Sequence, residues 1–230
     1  MKKVLLVGNH EIVIYNFRKE IIERLLEENY EVYIVLPYGK KVDILIDMGC
    51  HFIDLPIDRR GTNPIRDFSL FMNCIKIFKQ IKPNVVLTYT IKPNIYGGIA
   101  CKLLSIPFIA NITGLGTSIE NSGILHKFSL FLYKIGLYNA NCVFFQNKSN
   151  LDFFINKKIV KGNMRLVPGS GVNIKEHCYE EYPSESNYIR FIYVGRLMRD
   201  KGIVELFNAI PKVIDRYSNV YFDIVGDSSS

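Results

Sequence analysis

A repeated change of hydrophobic period is the feature of this chain that most constrains its fold. Compact runs such as VLLV at residues 4–7 and VVL at residues 85–87 are apolar at every position. A half-exposed strand would alternate, so these strands need cover on both faces. The segments between them supply it. Phe17, Ile21, Ile22, Leu25 and Leu26 recur at helical spacing, as do Phe68, Phe71, Ile75 and Phe78. The spacing predicts strands over 4–7, 30–36, 51–55, 85–88, 107–111, 142–145 and 164–167. It predicts helices over 16–28, 41–48, 65–79, 94–104, 124–138 and 150–156, the first with Asn16 as its N-cap after a loop over 9–15. Strands alternating with helices in this way are βαβ units in a parallel sheet. Residues 174–187 are polar and acidic and read as a linker; a second unit follows, with strands over 189–194 and 220–225 and a helix over 203–216 that Pro211 kinks or ends early.

Ligands of parallel sheets bind beyond the carboxyl ends of the strands. In this chain those ends carry Gly8 to His10, Thr90 to Asn94, Thr113 to Gly116 and Ser170 to Asn173. In the second unit, YIRFIYVGRLMRDKG (residues 188–202) reads as a buried strand, a glycine turn with Arg196, and Lys201-Gly202 opening a helix. Two cations at a helix N-terminus suit phosphate, because charge and free N–H donors converge there. The plainer reading is two solvated surface cations.

The formal charge of +7 over 230 residues suits an anionic partner without choosing one. The lysines are dispersed and no aromatic platform or basic helix stands out, so nucleic acid is not the expected partner. Cys50, Cys74, Cys101, Cys142 and Cys178 form no C-x-x-C pair and read as buried free thiols in a reducing cytoplasm. The apolar start is too short for a signal peptide, and no stretch is long enough to span a bilayer. No Ser/His/Asp set, metal cluster or carboxylate pair marks a hydrolase.

Four segments, taken in order, resemble the retaining nucleotide-sugar glycosyltransferases of family 4, which have a GT-B fold. They are HEIVIYNFRKEIIERL from His10, KPNVVLTYTIKPNIYGGIAC from Lys82, ITGLGTSIEN from Ile112, and VPGSGVN from Val167 followed by YVGRLMRDKG. The likeness is to bacterial enzymes that build capsule, O-antigen or lipid-linked oligosaccharides on a polyprenyl carrier. It implies an α/β protein with a complete Rossmann-like acceptor-side domain at residues 1–173, a linker at 174–187, and the first βαβ of a second Rossmann-like, donor-binding domain at 188–230. The implied reaction moves a hexose or hexosamine from a UDP-sugar to a lipid-linked or polysaccharide acceptor. It needs no metal or other cofactor, and takes place in the cytoplasm or peripherally at the inner membrane face. Arg196 and Lys201 hold the donor diphosphate, with Gly8, Ser170 and Gly171 letting backbone approach it. His10, Asn16, Arg18, Lys92, Asn94, Thr113, Gly114 and Gly116 are the acceptor-side candidates. No residue is singled out as catalytic.

Most of these residues have a second reading. His10 is equally a solvated loop histidine, Arg18 a surface partner of Glu11, Lys92 a solvated lysine, Asn94 a helix cap, and residues 113–116 a simple turn. The helices over 65–79 and 124–138 have apolar faces edged by lysines, suited either to a core or to a membrane interface. The family's donor domain also carries two glutamates separated by seven residues, and none at that spacing follows Lys201. The expectation is therefore a chain truncated in its donor domain and impaired by itself, with another copy or a companion chain covering the exposed βαβ. The rival readings are a non-catalytic acceptor-binding or scaffold subunit paired with a separate donor-binding chain, and a nucleotide-sugar epimerase.

Overall fold

In the computed structural model every predicted apolar run becomes a strand. Residues 1–59, 61, 63–115, 124–181 and 187–226 are described. They divide into two compact units, Met1–Val172 and Asn173–Ser230.

The first unit is built on β1 (Lys3–Val7), β2 (Glu31–Leu36), β3 (His51–Asp54), β4 (Val85–Tyr89), β5 (Phe108–Ile112), β6 (Cys142–Phe145) and β7 (Asn163–Leu166). All pair in parallel, in the order β3-β2-β1-β4-β5-β6-β7. The expected parallel α/β architecture is thus what forms. β1 pairs with β2 through Lys3↔Glu31 and with β4 through Val4↔Val85. The chain winds one way from β1 to β3, then the other way from β4 onward. The strand order reverses between β1 and β4, which opens a crevice at their carboxyl ends.

Both faces of the sheet are covered. Leu5 and Val7 point into a core with Cys74, Phe78, Tyr133 and Phe154, under α3 (Pro64–Ile81), α4 (Gly98–Leu104), α5 (Ile124–Gly136) and α6 (Lys148–Asn156). Val4 and Leu6 point into a second core with Ile14, Ile22, Leu45 and Tyr89, under α1 (Glu11–Glu27) and α2 (Val42–Asp47). This is why residues 4–7 of β1 had to be apolar at every position. α4 and α5 approach backbone to backbone. A Cβ at Gly98 would run into the Gly136 carbonyl, and one at Gly136 would come within 2.8 Å of Ile95 Cα.

Several local expectations need correction. α1 begins at Glu11, because the His10 side chain caps it in place of Asn16, and the loop expected over 9–15 is mostly helix. The segment after β4 opens as a π-helical turn, Pro93–Gly97, before α4. In α3 the buried residues are Leu70, Cys74, Phe78 and Ile81, and Phe68 is exposed. Cys50, Cys74 and Cys101 are buried free thiols, but Cys142 is half-buried and Cys178 exposed.

The second unit pairs β8 (Ile189–Val194) with β9 (Val220–Val225) in parallel, with α7 (Ile203–Ile214) between them in sequence. α7 runs three residues past Pro211. Phe191 stacks on Phe222 with ring centroids 5.2 Å apart. Phe191, Ile192, Val194, Phe207 and Tyr221 remain exposed.

Candidate functional site

The β1–β4 crevice begins at Gly8, whose N–H donates to the Val35 carbonyl at 3.1 Å. Ile14 fills the space a side chain at Gly8 would occupy, with Cγ1 3.2 Å from an ideal Cβ. Smallness at Gly8 therefore serves the packing of α1 on β1. His10 is the N-cap of α1: its Nδ1 accepts from the Ile12 N–H at 3.2 Å and lies 2.7 Å from Glu11 Oε2. One nitrogen cannot do both, so a proton on Nδ1 turns His10 from the cap toward Glu11. Asn16 lies in the second turn of α1 and is exposed.

Arg18 does not take its second reading, the surface partner of Glu11. It is only 5% exposed, and it does not pair with Glu11. Its guanidinium lies over the Tyr89 ring, 4.7 Å from the centroid, at the end of β4. Nη1 donates to the Phe17 carbonyl at 2.5 Å, while Nε has no partner among the described residues. Burial lowers the Arg18 pKa and Tyr89 opposes the shift. The same burial pushes the Tyr89 hydroxyl up to about 12, with Arg18 pulling the other way. No Asp or Glu neutralises this cation among the described residues. A buried unpaired charge is among the least favourable things a fold can keep.

Thr90 follows directly. Its φ of 72° is left-handed, a rare state for a β-branched residue, and its buried Oγ1 has no partner among the described residues. Strain of this kind is worth about 1–3 kcal/mol and clusters where ligands bind. Lys92 donates to Asp67 Oδ1 at 2.6 Å, and the Tyr96 hydroxyl donates to Asp67 Oδ2 at 3.0 Å. Burial and Asp67 together raise the Tyr96 pKa. Lys92 is thus anchored to α3 and is not a solvated lysine.

Asn94 is buried, and both ends of its amide are engaged. It accepts from Thr88 Oγ1 at 2.7 Å and donates to the Asn111 carbonyl at 2.9 Å. It staples β4 to β5 beneath the crevice and caps no helix. Thr113 and Gly114 follow β5 and are half-buried. Gly114 has no positive φ, and a Cβ there would meet nothing within 4 Å, so neither strain nor crowding requires glycine. Gly116 lies outside the described residues. Ser170 accepts from Gln146 Nε2 at 2.8 Å, and Gly169 and Gly171 are left-handed at 72° and 79°.

The strand order thus gathers His10, Arg18, Thr90, Lys92, Asn94 and Thr113 onto three adjacent strand ends, β1, β4 and β5. Ser170 and Gly171 follow β7, two strands further on. Arg196 and Lys201 belong to the second unit and are exposed. There the Tyr193 hydroxyl donates to the Arg196 carbonyl at 2.9 Å, ordering the turn. Lys201 closes a 3₁₀ turn, and Gly202, with φ 74°, starts α7 with no side-chain cap. Asp67 and Tyr89 were not legible as site residues, and Thr90 was legible only as the start of a strand-end loop, without its strained backbone. Asp67 looks like an ordinary first-turn acid, and only the fold carries it to Lys92, twenty-five positions away.

Residues 3–147 match the family described as glycosyl transferase 4-like. The chain is 24% identical, over 88% of its length and 58% of the relative's, to the N,N'-diacetylbacillosaminyl-diphospho-undecaprenol alpha-1,3-N-acetylgalactosaminyltransferase of Campylobacter jejuni. It is 26% identical, over 89% of its length and 56% of the relative's, to the capsular polysaccharide biosynthesis glycosyltransferase CapM of Staphylococcus aureus. It thus spans somewhat more than half of each. Among solved structures, a glycosyltransferase from Rickettsia africae aligns with 99% of the chain and 61% of its own at TM-score 0.68 and 19% identity. HepE from Anabaena, in complex with UDP-glucose, aligns over the same shares at TM-score 0.70 and 15% identity. With more than half of its residues matched, the chain belongs to the glycosyl transferase 4-like family.

Proposed function

We propose that this chain is the acceptor-side part of a glycosyltransferase that moves a hexose or hexosamine from a UDP-sugar to an acceptor carried on a lipid diphosphate. Arg18 carries the reading. It is a buried guanidinium at the β1–β4 crevice, stacked on the residue next to a strained Thr90; among the described residues it has no carboxylate beside it and the Thr90 hydroxyl has no partner. A diphosphate supplies what these groups lack, negative charge and acceptor oxygens. Lys92, held at the crevice by Asp67, is the second cation. His10, Asn16, Thr113 and Gly114 line the approach, and Asn94 keeps the floor in place. The undecaprenol-diphosphate in the name of the Campylobacter relative supports the lipid diphosphate, and UDP-glucose bound to HepE supports the donor.

Residues 1–173 are the acceptor domain, 174–187 the linker, and 188–230 belong to the donor domain. Arg196 and Lys201 hold the donor diphosphate. As the sugar–phosphate bond breaks, charge builds on the leaving diphosphate, and a fixed Arg and Lys stabilise it. The acceptor hydroxyl forms the new glycosidic bond with retention of configuration. The work is done at the cytoplasmic face of the membrane. The exposed apolar side chains of β8, β9 and α7 support a covering partner, a second copy or a companion chain. Calorimetry tests both substrates. UDP-sugar binding weakens at least about tenfold in Arg196→Ala, the worth of one charged hydrogen-bonding side chain. A short-chain prenyl diphosphate loses binding in Arg18→Met. Equal binding by wild type and Arg196→Ala removes Arg196 from the donor site; binding of neither ligand removes the proposal.

A further inference from the structure

The two cations of the crevice differ in their company. Among the described residues Arg18 has no acid beside it. Lys92 donates to Asp67 Oδ1 at 2.6 Å, and the two side chains are only 14% and 17% exposed. Asp67 Oδ2 accepts from the Tyr96 hydroxyl at 3.0 Å, so both oxygens accept, as those of an ionised carboxylate do. Tyr96 stays a donor, because burial and then Asp67 raise its pKa. Arg66, one residue before Asp67, is held by Asp58 at 3.0 Å and brings an acid of its own. Lys92 stands three residues beyond Tyr89, the ring under Arg18, a span of at most about 11 Å. The charge of Asp67 therefore acts where Arg18 calls for an anion. Tethering alone does not need that charge. Asn94, in the same crevice, holds Thr88 Oγ1 at 2.7 Å with a neutral amide oxygen. An aspartate in the tethering position also fixes a negative charge beside the two cations.

We propose that Asp67 is a specificity-determining residue, which makes the crevice prefer a diphosphate esterified at both ends to one with a free terminal phosphate. The inference rests on the acceptor reading above and names the form of diphosphate that the crevice takes. A diphosphate capped at both ends carries about two negative charges at neutral pH, and one with a free end about three, because a terminal phosphate loses its second proton at about pH 6. Arg18 and the remaining N–H donors of Lys92 meet two of these charges. A third meets Asp67 instead, a like charge. A lipid diphosphate without its sugar has such a free end and offers no sugar hydroxyl, so disfavouring it leaves the crevice open for the acceptor. Calorimetry with geranyl diphosphate and with its methyl ester, capped at the terminal phosphate, isolates that charge, because neither ligand carries a sugar. At about pH 7.5 the wild type binds the ester about tenfold more tightly, the effect of one like charge a few ångströms away near water. In Asp67→Asn the gap narrows to less than about threefold, through tighter binding of geranyl diphosphate. Tyr96→Phe removes a hydrogen bond to Asp67 and no charge, and changes the affinity for both ligands alike. At about pH 5 the terminal phosphate is protonated and the wild-type gap closes, a result that needs no variant to fold. Equal binding of the two ligands by the wild type, a gap that persists at about pH 5, or an unchanged gap in Asp67→Asn overturns the inference and leaves the acceptor reading standing. So does an equal loss of both ligands in Asp67→Asn, which makes Asp67 a tether for Lys92 and no more. Binding of neither ligand by the wild type overturns the acceptor reading and the inference with it.

Discussion

Replacing Arg18 with methionine separates a structural arginine from one kept for a ligand. Methionine has comparable length, fills irregular space and carries no donor. The Nε of Arg18 is buried without a partner among the described residues, which costs the fold about 1–3 kcal/mol. The stack over Tyr89 returns about 0.5–2 kcal/mol. Arg18→Met is therefore expected to leave stability unchanged or to raise it by about 1–2 kcal/mol, as when an uncompensated buried charge gives way to an apolar side chain. For a domain of this size each kcal/mol moves Tm by about 2–4 °C. Inorganic pyrophosphate stands in for the lipid diphosphate. At ten times its Kd it stabilises the wild type by about 1.4 kcal/mol, a rise of about 3–5 °C, and does nothing for Arg18→Met. Thermal melts of both proteins, with and without pyrophosphate, read all four states. A loss of more than about 3 kcal/mol in Arg18→Met, or an equal pyrophosphate shift in both proteins, refutes the reasoning.

Three further outcomes follow from the same structure. Tyr133 is wholly buried and its hydroxyl has no partner among the described residues, so Tyr133→Phe should raise stability by about 1 kcal/mol in urea denaturation. Burial pushes the Cys74 thiol up to about 12. The folded pKa lies above the unfolded one, so stability is intact below about pH 9. It falls by up to about 1.4 kcal/mol per pH unit above that, and melts between pH 8 and 10.5 should show a shallower decline in Cys74→Ala. Gly98→Val drives a side chain into the Gly136 carbonyl and should cost about 3 kcal/mol or more, read as a lower urea midpoint with an unchanged slope.

The sheet was legible because burial on both faces leaves a mark in every residue of a strand: Val4 and Leu6 serve one core, Leu5 and Val7 the other. Helix starts were less so. Histidine is an uncommon cap, so Asn16 looked the better candidate, and nothing local showed that Ile14 would be drawn onto Gly8 and pull the helix five residues earlier. Phe68 was left open between core and surface for a related reason. A phenylalanine at helical spacing looks the same whether it faces the sheet or solvent, and the period gives the stripe without naming its occupant.

The site was the least legible part because its informative features are failures of local rules. A strained β-branched residue at Thr90, a cation at Arg18 without its acid, and a lysine tethered by an aspartate from another helix all lower the stability or the local consistency of the fold. Sequence reading assumes that each residue sits where it is comfortable. It therefore left two places open for Arg18, an acceptor phosphate or the surface beside Glu11, and the second is the arrangement a fold free of any ligand would choose. The chain buries Arg18 instead, over the last residue of the strand where the sheet reverses its order, an arrangement that a fold serving only to close a sheet has no reason to keep.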